Sequence, residues 1–256
     1  MMKSSTTMTI EKLHVSKAKG ILLLIFLTII IALFILSVSI AIPLLVRPIY
    51  YVQIESQGLP EQSGFSKEQI KEAYDDVMDY CTLGGEDSGR SFHTGALAWS
   101  EEGKDHFDDV QRLFRLDFTV AIITSALLAA YLLSQLILRK RKKAGLQPWR
   151  VLGRGPLFWG PSVLLAAFLS LTIAAVVDFD GFFTWFHHLF FPGKDNWLLD
   201  PDIDEIIRIL PYEVLQTFAI IIVALILAGC TICIIADLRH FRSDRSSRAA
   251  RRQKMS

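Results

Sequence analysis

Four uninterrupted apolar runs constrain this chain more than any other feature: Ile21–Val46, Phe118–Leu138, Leu157–Val177 and Val214–Ala236. Each approaches or exceeds the roughly 20 residues a helix needs to cross the hydrocarbon of a bilayer. Lipid offers no partner to an unpaired backbone N–H or C=O, so runs of this length are expected as helices. The expected fold class is therefore an all-α integral membrane protein. It has four transmembrane helices, and its extracellular loops contain short interfacial amphipathic helices. The first run stays uncharged from Ile21 to Val46, longer than the roughly 7–15-residue core of a cleavable signal. It reads as a retained span, and residues 1–256 read as a single membrane domain.

A net charge of +1 conceals a strong segregation of sign. Four lysines precede the first span: Lys3, Lys12, Lys17 and Lys19. Seven basic residues, Arg139 through Lys143 with Arg150 and Arg154, lie between the second and third spans. Seven more, from Arg239 to Lys254, follow the fourth, so eighteen of the 27 basic residues fall in three segments that four spans place on one side. The positive-inside rule makes that side cytoplasmic. Segments 1–20, 139–156 and 237–256 are then cytoplasmic, both termini included, and 47–115 and 178–213 are extracellular. Basic clusters beside bare spans are topology signals and anchors for anionic membrane lipids; no nucleic-acid partner is expected. Nothing in the spans is charged, apart from Asp117 at the lip of the second. Pumps and transporters keep ionisable groups at mid-membrane depth, so transport is not expected either. Cys81 has no external partner for a disulfide, and Cys230-x-x-Cys233 lies inside a span as two small buried hydrophobes.

The external segments carry their own helix signals. Arg47-Pro48 ends the first span, with Tyr50 and Tyr51 expected at interface depth. Gln57–Gly64 reads as loop. Ser66-Lys67-Glu68-Gln69 has capping-box form, and Ile70, Tyr74, Val77 and Cys81 behind it share one helical face, predicting an amphipathic helix over Ser66–Tyr80. Leu83–Gly89 breaks that helix, and Ser91–Trp99 reads as a short strand or an irregular lid. Ser100, with Glu101 and Glu102 behind it, starts a helix. Phe107, Val110, Phe114 and Phe118 continue it along the membrane surface into the second span. Pro192-Gly193 turns the chain, and Asp200-Pro201 is expected to open an interfacial helix over Asp202–Leu210.

The chemistry concentrates at two places just outside a span. Phe182-Phe183-Thr184-Trp185-Phe186-His187-His188-Leu189-Phe190-Phe191 is an aromatic collar suited to headgroup depth, with two imidazoles inside it. On the helix begun by Ser100, His106 borders the apolar stripe, and Asp109 lies three residues on, close enough to orient its ring. Topology alone places His106 and His187 in one thin slab, near Asp109 and one of Asp178, Asp180 or Asp200. Two readings stay open on these residues: a proton-transfer pair, or imidazoles that only pack and hydrogen-bond as interfacial amphiphiles do. No H-x-x-x-H, H-E-x-x-H or G-x-S-x-G spacing occurs, so neither a metal nor a cofactor nor a serine nucleophile is expected.

Two motifs carry a resemblance. Ser100-x-x-Gly103-x-x-His106-Phe107-x-Asp109-Val110-x-x-Leu113-Phe114 is one. Phe186-His187-x-Leu189-Phe190-Phe191, followed by Trp197-Leu198-x-Asp200-Pro201, is the other. The chain resembles the bacterial lipoprotein intramolecular transacylases, a likeness that extends over all four spans. Gln111, where many relatives have lysine, and the long basic tail depart from the family pattern. The resemblance implies an acyltransferase. Its substrate would be a diacylglyceryl-modified lipoprotein, and it would move the sn-2 acyl chain to the α-amino group of that protein's N-terminal cysteine. It implies His106 and His187 as the catalytic pair, with His188 as a further candidate; position along the chain makes Asp109 and Asp200 the expected orienting carboxylates. In this reading His106 is the base and His187 donates to the ester oxygens, or the two roles are reversed, or one ring carries the acyl group transiently. The competing readings are a non-enzymatic membrane scaffold and a metal-dependent membrane hydrolase.

Overall fold

The computed structural model describes residues 2–143 and 147–253, with side chains over 17–143 and 147–241. His14 and the basic residues before Lys17 and after Phe241 have side chains outside the described ones. In chain order the helices are α1 (Met2–Leu45), α2 (Pro48–Ser56), α3 (Leu59–Ser63), α4 (Lys67–Leu83), α5 (Glu101–Lys140), α6 (Pro156–Val177), α7 (Phe179–Phe190), α8 (Ile206–Ile209) and α9 (Tyr212–Gln253). A single 3₁₀ turn covers Gly85–Ser88. Among the described residues the one β-type pairing is an isolated bridge between Val151 and Arg154.

Among the described residues four helices are long and apolar enough to cross a membrane: those containing Lys17–Leu45, Glu101–Lys140, Pro156–Val177 and Tyr212–Phe241. The shortest has 22 residues, about 33 Å at ~1.5 Å per residue, against roughly 30 Å of hydrocarbon. Their outward side chains are bare: Ile122 is 69%, Leu132 60%, Val176 80% and Ile220 62% exposed. Apolar exposure on this scale marks a surface made for lipid. The expected all-helical membrane protein with four apolar spans is the fold found.

The chain divides into two compact units. The first comprises 1–36, 121–168 and 226–256. Its apolar interior includes Leu24, Leu27, Ile31, Leu164, Ile226 and Cys230. Gly160 of α6 meets the backbone of Thr28 so closely that a Cβ there would lie 2.5 Å from the Thr28 carbonyl oxygen. Where the hydrophobic effect cannot drive helices together, small residues permit such close packing. Asp237, 4% exposed, accepts from Arg150 (2.9 Å) and from the Gly155 N–H (3.1 Å).

The second unit, 37–120 and 169–225, holds the candidate site residues. Pro48 occupies the first turn of α2, where its missing N–H costs nothing, so the chain resumes a helix at once after the first span. Gln57–Gly64 is not plain loop: Leu59–Ser63 form a helical turn between Gly58 and Gly64, both left-handed. α4 starts on the expected capping box, Gln69 N–H donating to Ser66 Oγ (3.2 Å) and Ser66 N–H to Gln69 Oε1 (2.9 Å). Its buried face is Ile70, Ala73, Tyr74, Val77, Met78, Tyr80 and Cys81. Tyr50 is fully buried, stacked on Tyr74 at 3.7 Å, and its hydroxyl donates to the Ile209 carbonyl at 2.7 Å. It is a core residue and not the interfacial anchor expected, because that buried carbonyl supplies the partner a desolvated phenol needs. Arg47 donates to Asp75 (2.9 Å) and Asp79 (2.6 Å), joining the end of α1 to α4.

Ser91–Trp99 contains no strand; it is irregular, with Phe92, Thr94 and Leu97 buried. The helix expected over Asp202–Leu210 shortens to Ile206–Ile209. Two side chains explain why. Asp200 Oδ1 accepts from the N–H of Asp202 (2.9 Å), an Asx turn that competes with helix. Asp204 serves another helix: it accepts from the Ser100 N–H (2.8 Å) and hydroxyl (2.9 Å), while Ser100 Oγ accepts from Gly103 N–H (2.9 Å). A carboxylate beside the first turn of a helix also meets the positive end of its dipole.

Candidate active site

His187 sits in the last turn of α7. That helix starts on Asp178, whose Oδ1 accepts from Gly181 N–H at 2.9 Å. Its periodicity turns His187 inward, 8% exposed, and leaves Trp185, Phe186, Leu189 and Phe190 outward. His106 comes from the second turn of α5 and is 9% exposed. The two ring centroids lie 6.0 Å apart. Phe191 stands against both, 5.3 Å from His106 and 5.8 Å from His187. Phe183 (4.1 Å) and Trp197, stacked at 4.6 Å, close the other sides of His187.

The surroundings dictate protonation. His187 Nδ1 lies 2.7 Å from the carbonyl oxygen of Phe183. A carbonyl only accepts, so Nδ1 carries the hydrogen and the neutral ring keeps its lone pair on Nε2. Burial lowers the His187 pKa below that of an ordinary histidine, with only partial compensation from the Phe183 bond, and His188 lowers it further. The ring is thus neutral at neutral pH. His106 Nδ1 is buried without a hydrogen bond, an unsatisfied polar atom of the kind that functional sites retain.

Asp109, 7% exposed, was expected to orient His106. Its hydrogen bonds run elsewhere: to Lys194 Nζ (2.7 and 2.5 Å), Arg112 (2.9 Å) and Asn196 (3.3 Å). Asp200, the other expected orienting carboxylate, is exposed and bonds within its own loop. His188 points outward, edge-on to Trp197 at 5.7 Å. Beside Asp109 lies a polar pocket of about 380 Å³, lined also by Asp105, Asp108, Arg112, Lys194, Asp195 and Asn196. Lys194 and Asn196 escaped the sequence reading. The available signal was that a carboxylate on a half-apolar helix needs a cation, and Lys194 is one of two in its external segment. Among the described residues no group of three or more His, Cys, Asp or Glu stands close enough to hold a metal ion.

The family model for the lipoprotein intramolecular transacylase Lit matches residues 25–215. The chain belongs to the lipoprotein intramolecular transacylase family. Two solved structures of the membrane integral Lit from Bacillus cereus share its fold. One is 24% identical, covers 91% of this chain and 99% of its own, and superposes with a TM-score of 0.71. The other carries a histidine-to-arginine mutation, is 22% identical over 95% of this chain and 99% of its own, and has a TM-score of 0.70. A search of the curated proteins gives no match.

Proposed function

We propose that this chain moves the sn-2 acyl chain of a diacylglyceryl-modified lipoprotein onto the α-amino group of the same molecule's N-terminal cysteine, leaving a lyso-form lipoprotein. Family membership supplies the reaction class. The single observation that carries the assignment of the site is the approach of His106 and His187 to 6.0 Å inside an aromatic collar.

Donor ester and acceptor amine belong to one substrate, so binding turns an encounter into a positioned attack. The remaining tasks are proton transfers and stabilisation of a tetrahedral oxyanion. The lone pair on His187 Nε2 supports its role as the base, the second of the divisions the sequence left open. As the amine nitrogen attacks the ester carbon, His187 takes its proton and the carbonyl oxygen becomes the oxyanion. When the carbon–oxygen bond to glycerol breaks, the sn-2 oxygen receives that proton back, directly or through His106. His106 presents a ring N–H to the ester oxygens. The apolar collar suits acyl chains and the polar pocket beside Asp109 suits the hydrophilic part of the substrate. The charge segregation along the sequence supports a site at the external face of the cell membrane.

The test is mass spectrometry of the N-terminal peptide after incubating the purified chain in lipid with a synthetic diacylglyceryl lipopeptide. His106→Ala and His187→Ala are expected to insert normally and form no lyso-form product. A double-alanine variant of full activity would remove the pair from the mechanism.

A further inference from the structure

We propose that Asp109 and Lys194 form a positioning pair that acts through Trp197 on His187. The inference rests on the two-histidine reading above.

The connection can be followed atom by atom. Asp109 Oδ1 and Oδ2 accept from Lys194 Nζ at 2.7 and 2.5 Å. The carboxylate is 8% exposed and the ammonium 46%. The bond thus fastens the loop after α7 to α5 at a point where the loop has no regular structure of its own. The backbone carbonyl of that same Lys194 accepts from Trp197 Nε1 at 3.0 Å. The indole is 8% exposed and lies nearly parallel to the His187 ring, 4.6 Å away at 28°. A Trp N–H buried in an apolar wall must find an acceptor, and the acceptor here is held in place by the ion pair. Without the pair, the Asn196 bond to Asp109 (3.3 Å) is the tie left at this point of the loop, the acceptor carbonyl drifts, and the plate against His187 loosens.

Geometry of this kind matters because proton transfer is steep in position; displacement by about 1 Å can cost on the order of 100-fold in rate. The same ion pair explains why Asp109 needs no contact with His106: it works on the partner ring. His106 from α5 and His188 from its own helix are the titratable groups beside His187. The remaining neighbours, Phe183, Phe186, Phe191 and Trp197, carry no charge.

Two readouts on the full-length protein test the proposal. The first is the pH dependence of the Trp197 component of fluorescence, taken as the difference between the wild-type chain and Trp197→Phe. A stacked imidazolium quenches indole emission; with His188→Asn present in every variant, since His188 stands edge-on to the same indole, this component titrates with His187 whether or not the ring is catalytic. Lys194→Met is expected to move the midpoint up toward the ordinary histidine value of about 6.5, because the loosened plate lets water reach the ring. Lys194→Arg, which restores the cation, is expected to return it. The second readout is turnover of the lipopeptide. Lys194→Met and Asp109→Asn should each lower kcat roughly 10- to 100-fold with KM little changed, and the double variant should be no worse than either, as members of one unit are non-additive. A Trp197 midpoint unmoved in Lys194→Met, or fully additive losses in the double variant, overturns the relay. Should His187→Ala stay active while the Trp197 midpoint still shifts in Lys194→Met, the two-histidine mechanism fails and the relay to the ring stands.

Discussion

Gly103→Ala is the perturbation whose sign is most informative. In an exposed stretch of helix, alanine is about 1 kcal/mol better than glycine, so local propensity alone forecasts a stabilised protein. The tertiary structure forecasts the opposite. A Cβ on residue 103 would run into the Asp204 carboxylate, which is 4% exposed and holds the N–H and hydroxyl of Ser100 at 2.8 and 2.9 Å. To make room the carboxylate must leave both bonds. Charge-assisted hydrogen bonds of this kind contribute about 1.5–3 kcal/mol each. Losing two costs about 3–6 kcal/mol, and the alanine returns about 1. The net expectation is a loss of about 2–5 kcal/mol, each kcal/mol lowering the unfolding midpoint by about 2–4 °C in a chain of this size. Thermal unfolding of the detergent-solubilised protein measures it. In an Asp204→Ala background the clash is gone, and the same substitution should become neutral or mildly stabilising. If Gly103→Ala raises the midpoint in the otherwise unchanged protein, the docking of Asp204 onto the start of α5 is wrong. The same contact gives a physical reason for the Ser100-x-x-Gly103 spacing: serine caps the helix and binds Asp204, and glycine leaves Asp204 room.

Two further outcomes follow from named groups. Because burial lowers the His187 pKa, the ring stays an unprotonated base below the ordinary histidine value of about 6.5; the acid side of a kcat/KM profile should show one limb from the substrate α-amine near about 8 and a second with its midpoint below about 6.5 that is lost in His187→Ala, and a second limb above about 6.5 would contradict the buried assignment. Gly160→Ala places a methyl 2.5 Å from the Thr28 carbonyl oxygen, so α1 and α6 must separate, at about 1–3 kcal/mol of overpacking; a reduced unfolding midpoint with normal membrane insertion is expected, and an unchanged midpoint counts against the close crossing.

Much of the architecture was legible because the rules that set it are local. An apolar run in lipid has no choice but to pair its own backbone, which makes Ile21–Val46 and its three counterparts helices before any packing is known. Ser66 with Gln69, and Ser100 with the acidic residues after it, announce helix starts since the orphan N–H groups there need acceptors within three residues. The alternation of apolar positions turned His187 inward and left His188 outside, a distinction the sequence raised but left unresolved.

What escaped the sequence is what depends on groups distant along the chain. Asp109 lies three residues from His106, and proximity on the helix made the imidazole its natural partner; the carboxylate instead found the full charge of Lys194, a stronger partner than a neutral ring. Tyr50 looked like an interfacial anchor until the Ile209 carbonyl supplied its acceptor inside the core. Asp202–Leu210 had helical spacing, yet Asp204 gained more from the N-terminus of another helix than from its own. The sequence by itself determined that this chain lives in a membrane, where the helices behind Ser66 and Ser100 begin, and which imidazoles stand at the ends of spans. Only the tertiary structure decided that two of those rings meet and that Asp109 pairs with Lys194 and not with His106, because partners for buried polar groups are chosen in three dimensions among everything the fold brings within about 3 Å.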